Sequence, residues 1–251
     1  MLKILGHTGN IGSRLLEKYP TAGIIHGRLG DTYFDYGEID SDDTIALCAA
    51  ISAPTECAKH PVRSRNVNVH GTMNFIDRVV DIGAKVIFLS SDAVIDGIGE
   101  YAKMKKKIED EYMDYINVKI LRLSYNFHRK DRFTSYLEKC NETGEVAEIF
   151  SPFSRNIIHR DDTVDAIVNL YKYWEAPQII NCGGPDLLCR SDLAKILKEE
   201  VLPDLNIKVV NPGDDFYKDR SGITEMRSDH LSGLLDRPVR TIREAIRMEF
   251  K

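Results

Sequence analysis

No stretch of this chain approaches the eighteen or more consecutive apolar residues that a bilayer-spanning helix requires, so no such helix is expected in it. An apolar strand pattern starts at Leu2, so no secretory signal peptide is expected and the anticipated location is cytoplasmic. The five cysteines, at positions 48, 57, 140, 182 and 189, are odd in number and contain no Cys-x-x-Cys pair. That pattern predicts reduced thiols rather than a disulfide framework or a zinc site. None of the seven histidines stands in His-x-His or His-x-x-x-His spacing, so no metal site is expected. Positive charge is short as well: 34 Lys and Arg against 39 Asp and Glu leave a net charge of -5, which argues against nucleic acid or an anionic membrane as partner. The dense basic run, Lys103 with Lys105 to Lys107, fits a solvated helix face apart from Lys105.

With 43% apolar and 29% charged residues and only 17 Gly and 9 Pro, the 251 residues describe one ordinary globular domain, 1-251, without internal repeat. Leu2 to Leu5 read as a strand that runs into Gly6-His7-Thr8-Gly9-Asn10-Ile11-Gly12 and then an amphipathic helix. Further strands are expected at 23-27, 32-35, 44-50, 85-89, 118-123 and 178-181. Helices are expected at 62-82, 101-113, 163-174, 191-200 and 241-250, with Ser191-Asp192 capping the fourth of these. Alternation of this kind implies an α/β fold with a doubly wound parallel sheet of Rossmann type. A small C-terminal substrate-binding region is expected to draw mainly on residues 125-251.

Three features carry chemistry. The Gly6, Gly9, Gly12 turn lies between a strand and a helix, where small residues let a pyrophosphate reach backbone N–H groups at the positive helix end. No Gly-Lys-Ser/Thr follows, so it is not a P-loop. The second strand ends at Gly27-Arg28 rather than at an acid, which suits the 2′-phosphate of NADP(H), with NAD(H) as the alternative. Asp35 is a candidate acceptor for the adenine amino group, or a turn former. Tyr101 and Lys105 are four apart and share a helix face, ten residues after Ser91 at a strand's C-terminal end. Together they would polarise a carbonyl, donate a proton and lower the tyrosine's pKa.

These segments resemble the extended and atypical short-chain dehydrogenase/reductases, and among them the dTDP-4-dehydrorhamnose reductase group of nucleotide-sugar enzymes. Besides the glycine turn, the matching segments are Cys48-Ala49-Ala50, Asn66 to Thr72, Ser90 to Gly97, the Tyr101 to Lys105 pair and Leu121 to Ser124, then Ile158 to Asp162 and Asn181 to Pro185. The resemblance implies that Ser91 orients a keto oxygen, Tyr101 is the general acid and Lys105 binds the nicotinamide ribose. It implies cofactor contacts from Gly6, Gly9, Asn10, Ile11, Gly12, Arg28, Asp35, Cys48, Ala49, Ala50, Asn68, Ser90, Tyr101 and Lys105. It further implies a nucleotide-sugar substrate and a homodimer paired through the helices near 62-82 and 101-113.

Two departures from the family pattern bear on the pocket. Only three residues separate Gly97 from Tyr101, where the family carries a longer loop, and the chain between Asp35 and Thr44 is too short for a crossover helix. The expectation is a substrate pocket that is more open, or completed by a partner subunit. The leading activity is NADPH-dependent reduction of a 4-keto-sugar nucleotide. The alternatives are an NAD-dependent 4-epimerase and a dinucleotide-binding regulatory subunit.

Overall fold

The computed structural model describes all 251 residues. Six parallel strands form the central sheet: β1 (Leu2–Leu5), β2 (Gly23–Ile25), β3 (Thr44–Leu47), β4 (Lys85–Ser91), β5 (Val118–Leu123) and β6 (Ile179–Cys182). Their spatial order is β6-β5-β4-β3-β1-β2. Leu2 to Leu5 pair on one side with Thr44 to Leu47, and Lys3 to Leu5 pair on the other with Gly23 to Ile25, so the chain changes direction of travel across the sheet at β1. That reversal opens a crevice at the C-terminal ends of β1 and β3, the usual ligand position in such sheets.

Near-continuous apolar strands bury both faces. Ile45, Val86, Phe88 and Ile120 face Phe75, Ile76 and Val79 of α2 (Thr72–Asp81) and Met104, Ile108 and Tyr112 of α3 (Gly99–Tyr112). On the opposite face Ile4, Ala46, Ile87 and Leu121 meet Leu15 of α1 (Asn10–Lys18) and Val164, Ile167 and Leu170 of α4 (Arg160–Lys172). A third core, around Phe127, Leu137, Ile149, Leu193 and Ile246, joins the helices Arg132–Thr143, Arg190–Glu200 and Ile242–Glu249 to the paired strands Val146–Phe150 and Asn206–Val210. No helix is long and apolar enough to cross a membrane.

Three expectations need correction. Residues 32–35 form no strand, because Phe34 turns inward, its ring 5.2 Å from Phe75 and packed on the backbone of Gly27. Aromatic burial there outweighs ladder pairing, and the sheet ends at β2. The helix expected over 62–82 has three parts: Pro61–Arg65, a π-helical turn Asn66–Gly71, and α2. The wider turn brings Gly71 against the backbone of Gly30, a contact no side chain would tolerate. Finally, the helix at 190 is capped by Cys189 instead of Ser191: its sulfur accepts from the Asp192 amide, and Asp192 accepts the Cys189 N–H at 3.1 Å.

Candidate active site

The glycine turn sits in the crevice between β1 and β3. Gly6 has φ +92°, and a Cβ there would lie 2.6 Å from the Ala49 nitrogen; a Cβ on Gly12 would strike the Gly6 carbonyl. Both positions therefore exclude any side chain. Gly9 precedes α1, whose first-turn N–H groups have no side-chain cap. The result is a bare cradle at a positive helix end, shaped for a phosphate-bearing ligand.

Gly9, Asn10 and Ile11 line the same cavity as Cys48, Ala50, Ser90, Ser91, Tyr101 and Lys105, with a volume of about 510 Å³. The wall that carries Ser91, Tyr101 and Lys105 comes from the end of β4 and the start of α3. Ser91 donates to Asp92 Oδ1 at 3.1 Å and accepts from the Ala93 N–H at 3.2 Å. Lys105 is buried, its Nζ 2.6 Å from the Leu89 carbonyl and 5.9 Å from the centre of the Tyr101 ring. Burial lowers the Lys105 ammonium to about 8. Tyr101 moves the other way: burial first, then the Asp92 carboxylate, raise its phenol well above the ordinary value, and the Ser91 hydroxyl offsets only part of this. Lys105, turned onto a backbone carbonyl, does not donate to the phenol in the free protein.

Ser90 and Cys48, which line the cavity, and the other predicted residues, which stand outside it, have further partners. Ser90 donates to Glu109 at 2.6 Å, and Glu109 also receives the Arg122 guanidinium, so Ser90 anchors α3 to the sheet. Buried Asn68 accepts the Ile51 N–H at 2.9 Å and donates to the Ile51 carbonyl at 2.8 Å, stapling the loop that follows β3. Ala49 packs on Gly6, and burial pushes the Cys48 thiol up to about 12. Arg28 is exposed and lines a separate recess of about 300 Å³ with Asn66, His70 and Tyr33. Asp35 follows no strand; its carboxylate accepts the Gly37 N–H at 2.9 Å in a local turn.

Several side chains of the cavity wall escaped the sequence reading. Asp92 is buried between Ser91 and Ser124, which donates at 2.9 Å, and lies 3.6 Å from Arg155; burial raises its pKa. Arg155, Arg190 and Arg220 line the wall built by the C-terminal third. Arg190 has no carboxylate partner and packs over the rings of Phe133 and Phe153, at 4.6 and 4.7 Å. These arginines come from three separate segments with no shared spacing, so only Asp92, adjacent to Ser91, carried any local signal.

The short turn before Tyr101 is covered by the same chain. Gly99, at φ +85°, admits the Asp219 carbonyl where a Cβ would stand, Thr224 donates to Asp96, and Arg220 reaches Thr55 across the cavity. A strap of residues 219–224 thus supplies wall that the shortened loop does not.

No family model matches the chain. Among curated proteins it is similar to UDP-glucuronic acid decarboxylase 5 of Arabidopsis thaliana, 24% identical over 217 residues, covering 74% of this chain and 63% of that protein. The chain thus spans less than two thirds of that relative's length. Its fold matches a dTDP-4-dehydrorhamnose reductase from Clostridium acetobutylicum, with TM-score 0.83, 14% identity and 99% and 98% of the two chains covered. It matches RMD from Pseudomonas aeruginosa complexed with NADPH, with TM-score 0.74, 18% identity and 98% and 96% covered. A UDP-glucose 4-epimerase from Thermotoga maritima, with UDP-glucose, matches with TM-score 0.76, 17% identity and 99% and 96% covered. The fold is that of nucleotide-sugar reductases and epimerases.

Proposed function

We propose that the protein is an NADPH-dependent reductase of a keto group on a nucleotide-linked sugar. The observation that carries this reading is a single cavity holding the side-chain-free glycine cradle together with Ser91, Tyr101 and Lys105. The cradle fits a dinucleotide, with Gly6, Gly9, Asn10, Ile11 and Gly12 at its pyrophosphate, Ala49 and Ala50 beside it and Arg28 at a 2′-phosphate. When bound, the cofactor supplies a hydride to the carbonyl carbon.

Tyr101 gives its proton to the carbonyl oxygen; burial and the Asp92 carboxylate hold its phenol above the ordinary value in the free protein, so its strength as an acid depends on positive charge brought beside the phenolate. Ser91, its oxygen fixed by Asp92 and the Ala93 N–H, exchanges Asp92 for the keto oxygen as substrate arrives. Lys105 leaves the Leu89 carbonyl for the ribose and brings its charge toward the phenolate. On the substrate side, Arg190 is a half-buried cation without a carboxylate partner, beside Arg155 and Arg220, and a nucleoside diphosphate would neutralise it.

Purified protein offered NADPH and 4-keto-sugar nucleotides tests the proposal by release of NADP and a reduced sugar. Tightly retained NAD with interconversion of epimers would identify an epimerase instead. Binding without turnover on any substrate would identify a regulatory subunit. The reading includes a cytoplasmic homodimer. Where α3 would pair, its outward side carries Lys103, Lys106, Lys107 and Asp110, so charge pairs would join the copies, and sedimentation at low and high salt examines this.

A further inference from the structure

Helices α1 and α4 lie side by side and point the same way, as three successive contacts establish. Arg160 donates to the Asn10 side chain at 3.1 Å, Arg14 forms a two-pronged pair with Asp161 at 2.7 and 2.8 Å, and Lys18 meets Asp165 at 2.5 Å. Parallel helices put their positive ends together, and Arg160 adds a full positive charge there. Glu249, Asp161 and Glu17 favour that charge only through space, and burial outweighs them. The nearby carboxylates are engaged elsewhere: Asp161 and Glu17 with Arg14, and Glu249 with the His159 ring and the Arg129 N–H. Arg160 has its one side-chain hydrogen bond to Asn10, and its Nε is buried without a hydrogen-bond partner. A cation between two helix N-termini is unfavourable unless an anion joins it.

We infer that Arg160 is a ligand of the dinucleotide pyrophosphate, clamping it against the first turn of α1 from the neighbouring helix. The inference rests on the cofactor reading above and adds a residue outside the glycine turn. Asn10, which lines the cavity, holds the guanidinium in place through its side-chain oxygen. The pyrophosphate is common to NADH, NADPH and ADP-ribose, so Arg160 acts on all three alike, whereas a 2′-phosphate ligand distinguishes NADPH.

Calorimetric titration of the parent protein, Arg160→Gln and Arg160→Lys with NADPH, NADH and ADP-ribose tests this, with Tm measured on each free protein. Arg160→Gln should bind all three about ten-fold or more weakly, and Arg160→Lys should keep most of the affinity. The free Arg160→Gln protein should melt no lower than its parent, because an unbalanced charge has been removed. Parental affinity in Arg160→Gln overturns the inference. A loss confined to NADPH overturns it too, by placing the guanidinium at the 2′-phosphate, and so does weakened binding with a lowered Tm, the mark of a structural strut. A parent protein that binds none of the three ligands overturns the cofactor reading itself and this inference with it.

Discussion

The Lys105 ammonium donates to the Leu89 carbonyl at 2.6 Å, so in the free protein this lysine is held by the strand beneath it and not by Tyr101. It is only 5% exposed, and burial lowers it from 10.5 to about 8. Below about pH 8 both folded and unfolded chains carry the proton, and the folded state bears the whole penalty. Between about 8 and 10.5 the unfolded chain binds a proton that the folded chain has lost, so this group's contribution to stability rises with pH. Lys105→Met should therefore be more stable than its parent at pH 7, by at most about 3 kcal/mol. The advantage should shrink as pH climbs toward 10.5, as urea melts at several pH values would record. A constant difference across that range would contradict the assignment.

Tyr101→Phe should lower kcat by about 10² to 10⁴-fold, the worth of a positioned general acid. Cofactor affinity should hold, because the ring remains. Single-turnover rates with the best substrate decide the matter, and an undiminished rate would move the proton donor elsewhere.

Arg28→Ala should weaken NADPH binding about ten- to a hundred-fold and leave NADH nearly unchanged. Arg28 is exposed and has no acidic partner within the protein, so its loss should not disturb the fold. Equal affinities for the two cofactors in the parent would remove the basis of the NADP preference.

Gly97→Ala and Gly99→Ala should differ sharply. Both glycines have positive φ, +67° and +85°, so each substitution carries a backbone cost of roughly 1–2 kcal/mol. A Cβ at 97 meets nothing within 4 Å, but at 99 it collides with the Asp219 carbonyl and must displace the strap. Gly99→Ala should therefore show the larger fall in Tm and a raised KM for the sugar nucleotide, while Gly97→Ala keeps the parental KM. Matching KM values in the two variants would mean that the strap does not shape the substrate site.

The amino-acid sequence by itself determined the alternating elements, the parallel sheet, the glycine turn and the Tyr101–Lys105 face, because each depends on spacing within one strand or one helix. It also contained the short turn before Tyr101, but not its consequence. Tertiary structure alone decided that Thr32 to Asp35 leave the sheet, since the gain from burying Phe34 against Phe75 depends on a helix some forty residues away. It decided that Asn68 and Ser90 serve as supports, because their partners, Ile51 and Glu109, lie in distant segments. The arginine-lined wall, the strap over Gly99 and the meeting of Arg160 with Asn10 arise in the same way. Each joins residues that no local period relates, and their energies come from burial and charge balance that exist only once the chain has closed on itself.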